Sequence, residues 1–150
     1  MNYLFDTNII MAYLRNHHIS LQIEAEYQPL SEQNIPIVSV VTIGELRSFT
    51  LQRNWGSTRV NALESFLKQF VIADINAEDV IEKYGEIDAF SQGKLKGFPL
   101  NVSARNMGKN DLWIAATASV AKAKLFTTDA DFDHLNKHFL EVIKFDPKSK

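Results

Sequence analysis

Five acidic residues stand where the sequence pattern switches between short apolar runs and helical spacing. Asp6 directly follows the run Tyr3-Leu4-Phe5. Glu45 lies in the helical stretch after Ile35–Val40. Asp111 opens a helical stretch that precedes Lys124–Thr127. Asp129 follows that last run after Thr128, with Asp131 two residues on. In an open α/β sheet, sites form beyond the carboxyl ends of strands, at the point where strand order reverses. If the first and fourth strands are neighbours, Asp6 and Asp129 face each other, and Glu45 and Asp111 join them from helix N-terminal turns. Two carboxylates about 5 Å apart repel by roughly 3 kcal/mol at an effective dielectric of about 20. A cluster of four therefore holds protons or a cation. An oxygen cage of this kind suits Mg²⁺ or Mn²⁺. The chain has no cysteine, which excludes a thiolate site and a disulfide scaffold. His134 and His138 stand at i, i+4 spacing without a third ligand, and are read as surface residues.

Each acid also has a local role open to it. Asp6 can start an Asx-turn with Thr7-Asn8, Glu45 can face solvent, and Asp111 can complement a helix dipole. Asp129 can cap a helix, and Asp131 can close a capping box with Thr128. Four independent caps would not require joint placement at strand ends, and that placement favours a shared site.

The elements that must position these acids alternate. Apolar runs at 3–5, 35–40, 70–73, 124–127 and 140–143 read as strands. Helical spacing covers 8–15, about 20–33 with a break near Pro29, 41–53, the stretch after Ser57, 79 to about 93, and 111–123. Pro36 suits the start of a strand and not its middle. Gly56 is expected to end one helix, and Ser57 or Thr58, Asn76 and Asn110 are expected to cap those that follow. Strands separated by helices imply βαβ units and a doubly wound sheet. The expected fold is thus an α/β three-layer sandwich: a central, mostly parallel sheet of about five strands with helices on both faces. One domain over 1–146 and a short tail at 147–150 account for the chain.

The length of 150 residues, with 45% apolar and 23% charged residues, fits a folded domain that builds its core without staples and excludes a low-complexity chain. Met1-Asn2-Tyr3-Leu4-Phe5-Asp6 has no basic n-region and no long apolar run, so no signal peptide is expected. Nothing is long enough to span a membrane, and a cytoplasmic location is expected.

At the acidic residues the sequence resembles the PIN-domain family, in particular the VapC-type toxin ribonucleases of bacterial toxin–antitoxin pairs. Four segments match in order: Asp6-Thr7-Asn8-Ile9, Ser39-x-x-Thr42-x-x-Glu45-Leu46, Asn110-Asp111-Leu112-Trp113-Ile114-Ala115-Ala116-Thr117-Ala118, and Thr127-Thr128-Asp129-Ala130-Asp131-Phe132. The resemblance covers about residues 2–143. It implies that Asp6, Glu45, Asp111 and Asp129 are metal-binding and catalytic acids, with Asp131 at a more variable position. Thr127 matches a hydroxyl residue beside the site, and Asn8 a polar residue that orients the first Asp. It further implies Mg²⁺- or Mn²⁺-dependent endoribonuclease activity on RNA, such as tRNA or another structured RNA, leaving 5′-phosphate and 3′-hydroxyl ends. A homodimer and a VapB-like antitoxin that blocks the acidic pocket with a basic side chain are also implied. The segment 97–108 looks longer than in compact members.

The formal net charge of −2 advertises no nucleic-acid partner. Setting the five motif acids aside leaves 16 basic against 13 acidic residues, a remainder of +3. A concentrated anionic pocket and a mildly basic surround then sum to near neutrality. Lys94, Lys96, Arg105 and Lys109 bracket the irregular segment that delivers Asp111 and are candidate RNA phosphate contacts. Arg47 and Arg53 are placed to approach the same groove. Trp55 is expected to cover a turn, and Trp113 to pack between helices. Three other readings bear on the same residues. A receiver domain wants paired acids after its first strand, and a haloacid-dehalogenase phosphatase wants Asp-x-Asp where Asp6-Thr7-Asn8 stands. A catalytically inactive PIN-like module that binds RNA or protein would not need to bind Mn²⁺.

Overall fold

In a computed structural model, which describes residues 1–148, the chain folds as β1 (Asn2–Phe5), α1 (Thr7–Leu14), α2 (His18–Glu26), β2 (Ile35–Ser39), α3 (Val40–Gln52), α4 (Ser57–Leu67), β3 (Val71–Ala73), α5 (Glu78–Ser91), α6 (Lys109–Val120), β4 (Lys124–Thr127), a 3-10 helix at Ala130–Leu135, and β5 (Glu141–Lys144). All strand pairings are parallel, in the order β3-β2-β1-β4-β5. The chain winds outward from β1 through β2 to β3, then returns to the other side of β1 with β4. The order therefore reverses between β1 and β4. Of the tail expected at 147–150, the last two residues lie outside the described residues.

Alternation along the strands builds two cores. Tyr3, Phe5, Val38 and Phe126 point to one face, where they pack with Ile9, Ile10, Leu46 and Leu63 from α1, α3 and α4. Leu4, Ile37 and Leu125 point to the other, against Val80, Ile87, Phe90, Leu112 and Ile114 from α5 and α6. The result is the expected three-layer sandwich, with a sheet that is wholly parallel. Pro36 sits opposite Tyr3 of β1. The pairing of β2 with β3 starts only at Ile37, so the missing N–H of Pro36 lies outside that ladder.

Three strand-to-helix junctions share a device: a residue at the strand end or within two positions beyond it caps the helix. The Asp6 carboxylate accepts from the Thr7 N–H at 2.8 Å. The Ser39 hydroxyl accepts from Val41 N–H at 3.1 Å. The Asp129 carboxylate accepts from Asp131 N–H at 2.9 Å. Such caps satisfy N–H groups that have no partner within the helix.

Elsewhere the helix ends differ from the sequence expectation. α3 stops at Gln52, before Asn54 turns left-handed at φ 49°, and Gly56 instead caps α4. α5 is preceded by Ala77, and α6 by Gly108, neither with a side-chain cap bond. Asn76 and Asn110 are therefore not the caps expected of them. Asp74 uses its carboxylate on the Ile75 and Asn76 N–H groups instead. α2 is shorter than the pattern suggested and ends at Glu26. Trp55 lies under the Arg59 guanidinium, 4.1 Å from the ring centre. Trp113 packs on Tyr84 of α5 with ring centres 4.3 Å apart.

Candidate active site

The reversal between β1 and β4 brings the first and last sequence motifs side by side, 121 residues apart in the chain. The Asp6 N–H donates to the Phe126 carbonyl at 3.0 Å. The Thr127 hydroxyl donates to Asp6 Oδ2 at 2.7 Å and accepts from the Asp129 N–H at 3.0 Å. Asp6 is 6% exposed and Thr127 is fully buried. The carboxylate of Asp6 is thus held by a backbone N–H on one oxygen and a hydroxyl on the other, leaving it little freedom to rotate.

The second motif enters through Thr7. Its hydroxyl lies 2.8 Å from Glu45 Oε1, and 3.2 Å from the hydroxyl of buried Thr42. Glu45 is the sixth residue of α3, so it reaches the site from the second helical turn and not the first. Thr7 and Thr42 were not singled out in the sequence, although both stand inside the matching segments. Their signal was position: each sits on the helical turn facing an acid. Asn8 makes no hydrogen bond to Asp6 among the described residues; its amide instead donates to the Thr128 hydroxyl at 3.5 Å, on the exposed rim.

Asp111, Asp129 and Asp131 each place a carboxylate oxygen within 4.8 Å of the others. Asp111 is the third residue of α6, where the helix dipole favours the ionised form. The surroundings outweigh that dipole. Burial first, then the charges of Asp6, Asp129, Asp131 and Glu45, raise its pKa to about 7. Burial also raises that of Asp6, against the hydrogen bonds from Thr127 and Thr7 that lower it and with the charges of Glu45 and Asp129 that add to it. Raised carboxylic pKa values of this origin describe a pocket short of positive charge. Hard oxygen donors at this density match Mg²⁺ or Mn²⁺. Asp131 takes part in the cluster although the 3-10 helix is capped by Asp129 and not by a Thr128 box.

The four cations that bracket the segment between α5 and α6 differ in anchoring, and of them Arg105 is the one seen against an acid of the cluster. Arg105 is half-buried; its backbone N–H donates to the Ser91 carbonyl at 2.8 Å, and its guanidinium reaches the Asp131 carbonyl at 3.5 Å. Arg105 lines one concavity of about 340 Å³ with Asp131, and a second of about 310 Å³ with Lys94. Lys94, Lys96 and Lys109 are exposed, as is Arg47 on α3.

His134 is a correction. It is 8% exposed, and its Nε2 lies 2.7 Å from the hydroxyl of fully buried Ser91 at the end of α5. That hydroxyl also lies 3.3 Å from Met107 Sδ. Burial, with the charge of Arg105, lowers the imidazole pKa to about 4, so the ring is neutral near pH 7. The pair fastens the 3-10 helix after Asp129 to the segment that delivers Asp111. His138 is exposed, as expected.

The PIN domain family profile matches residues 3–138. No functionally curated protein matches the chain in sequence. Among solved structures, VapBC-1 from nontypeable Haemophilus influenzae is similar at 25% identity and TM-score 0.71, covering 96% of this chain and 98% of that one. VapBC2 from Rickettsia felis, bound to a DNA fragment from their promoter, is similar at 22% identity and TM-score 0.70, covering 97% and 100%. FitAcB from Neisseria gonorrhoeae is similar at 24% identity and TM-score 0.66, covering 98% of each chain.

Proposed function

The chain belongs to the PIN domain family, and from that premise and the geometry of its acids we propose that it is a divalent-metal-dependent endoribonuclease, the VapC-type toxin of a toxin–antitoxin pair. The observation that carries the reading is the meeting of Asp111, Asp129 and Asp131 within 4.8 Å, beside buried Asp6 at the one place where strand order reverses. Ligand sites of open α/β sheets form there.

Asp6, Glu45, Asp111 and Asp129 would hold Mg²⁺ or Mn²⁺, with Asp131 adding a ligand from the exposed rim. When bound, the cation supplies the positive charge against which water ionises near neutral pH and the phosphoryl group is polarised. The chain's residues do the placing. Thr127 and the Thr7 N–H fix the orientation of Asp6. Thr7 holds Glu45 toward the same space. Asp111 gives up its proton to take part, so the site assembles most readily above about pH 7. The neutral, buried Ser91–His134 pair is too enclosed to meet a polynucleotide and serves to hold the site's edge. Lys94, Lys96, Arg105 and Lys109 supply phosphate contacts on RNA. A small antitoxin protein and a second copy of the chain are the proposed partners, and the cytoplasm the proposed location.

The test is end-mapping of RNA after incubation with wild type and with Asp111→Asn, in Mg²⁺ or Mn²⁺ and in EDTA. Cleavage by wild type alone, abolished by EDTA and leaving 5′-phosphate ends, is expected. Equal cleavage by Asp111→Asn would sink the reading.

A further inference from the structure

Two helices end in arginine at one cavity. Arg15 is the C-terminal cap of α1 and Arg53 that of α3. A cation at a helix C-terminus complements the dipole, which accounts for each arginine separately. It does not account for both lining the same cavity of about 280 Å³. Neither is in an ion pair among the described residues, and no carboxylate lines the cavity. The Arg53 guanidinium is held over the Phe49 ring, 4.9 Å from its centre. The floor is apolar, with Met11, Ile19 and Phe49. The rim is formed in part by Asn8 and Thr128. These follow Asp6 by two residues and precede Asp129 by one. The cavity therefore opens beside the acid cluster, and it shares no lining residue with the Lys94–Arg105 concavity.

We propose that this cavity seats the nucleotide next to the scissile bond of an RNA substrate, its phosphate held by Arg15 and Arg53 and its base or sugar on the apolar floor. The inference rests on the ribonuclease reading above. Charge and place favour a polyanion over a protein segment. A strand whose reacting phosphate sits at the acids must carry another phosphate one nucleotide away, and two unpaired guanidiniums stand at that edge. Arginine forks match phosphate oxygens in pairs. The volume falls near the lower end of ligand pockets, which suits one nucleotide.

The test measures binding of a labelled single-stranded oligoribonucleotide of about a dozen nucleotides in EDTA, across a salt series. It compares wild type, Arg15→Gln/Arg53→Gln and Arg15→Lys/Arg53→Lys. Loss of one phosphate contact should weaken binding on the order of tenfold and flatten the log–log salt slope by about 0.7. The lysine pair should keep most of the slope, which also shows that the fold survives. With metal present, cleavage of the long RNA should fall through KM, whereas cleavage of a dinucleoside monophosphate, whose only phosphate is the scissile one, should be unchanged. An unchanged slope and affinity in the glutamine pair overturns the proposal. So does an equal loss on the dinucleoside monophosphate and the long RNA, or intact RNA binding with loss of an acidic partner protein. Failure of wild type to bind or cleave RNA at all would instead overturn the ribonuclease reading.

Discussion

The β1/β4 junction and the segment between α5 and α6 both border the acid cluster and are built in opposite ways. At the junction, Asp6 is buried, both its oxygens are hydrogen-bonded, and its neighbours Phe5, Phe126 and Thr127 have no exposed surface. In the segment from Gln92 to Gly108, Met107 is the only buried residue. Phe98 and Val102 stand 59% and 52% exposed, and Lys94 and Lys96 have no ion pair among the described residues. The comparison teaches a division of labour. The acids are fixed by the core, where misplacement would be costly. The lysines of the segment ride on the surface, where loops tolerate change.

Changes at the junction and at the partner acids should therefore cost the most. Asp6→Asn or Asp111→Asn should lower RNA cleavage on the order of 1,000-fold, since several kcal/mol of charge stabilisation is at stake; single-turnover rates at saturating Mn²⁺ check this. Thr127→Val removes only the hydroxyl that holds Asp6. It should cost about 10–100-fold in Mn²⁺ affinity or rate, read by metal titration beside kinetics. An effect on rate as small as that of Lys96→Gln would erase the contrast between the two regions.

The acids also make a pH prediction. The folded pKa of Asp111 is raised to about 7 from the ordinary aspartate value of 3.8. Between those values the folded, metal-free protein holds a proton that the unfolded chain has released. Its contribution to stability is thus greatest below the unfolded value and is lost as pH rises through 7. Melting of metal-free wild type against Asp111→Asn should show wild type losing ground from pH 5 to 8 in relative terms, and Mn²⁺ should restore it more at pH 8 than at pH 5. Ser91→Ala strips the partner from buried His134 and should destabilise by about 1–3 kcal/mol, measured by denaturant unfolding. Smallest of all, neutralising Lys94 and Lys96 together should weaken RNA binding only a few-fold and reduce the salt slope by about 1.4.

The division between core and surface also sets what the sequence discloses. Alternation in Tyr3-Leu4-Phe5 and Leu125-Phe126 fixes both faces of the sheet, and acids that follow such runs fall at strand ends without further information. Adjacency of β1 and β4 is a matter of topology, and no local pattern encodes it. Helix caps were misread at Asn76 and Asn110. Where packing decides the first turn, Ala77 and Gly108 begin helices without a side-chain bond, and propensity is overruled. His134 was misread because its burial depends on Ser91, 43 residues earlier. Thr7 escaped notice because its role lies in a partner on another helix.

The hydrogen bond from Thr127 to Asp6 joins the two ends of the chain, and that gives the acid cluster a place in time as well as in space. Synthesis runs from the N-terminus at about 5–20 residues per second, so Asp6 and Glu45 emerge long before their partners. Until β4 leaves the ribosome, β1 lacks one neighbour and Asp6 lacks the hydroxyl that holds it. A chain stalled or cut before about residue 127 contains three of the five acids and only the β1 half of the junction that gathers them. A site built this way is withheld from every unfinished copy, and comes into being only with the closing of the sheet.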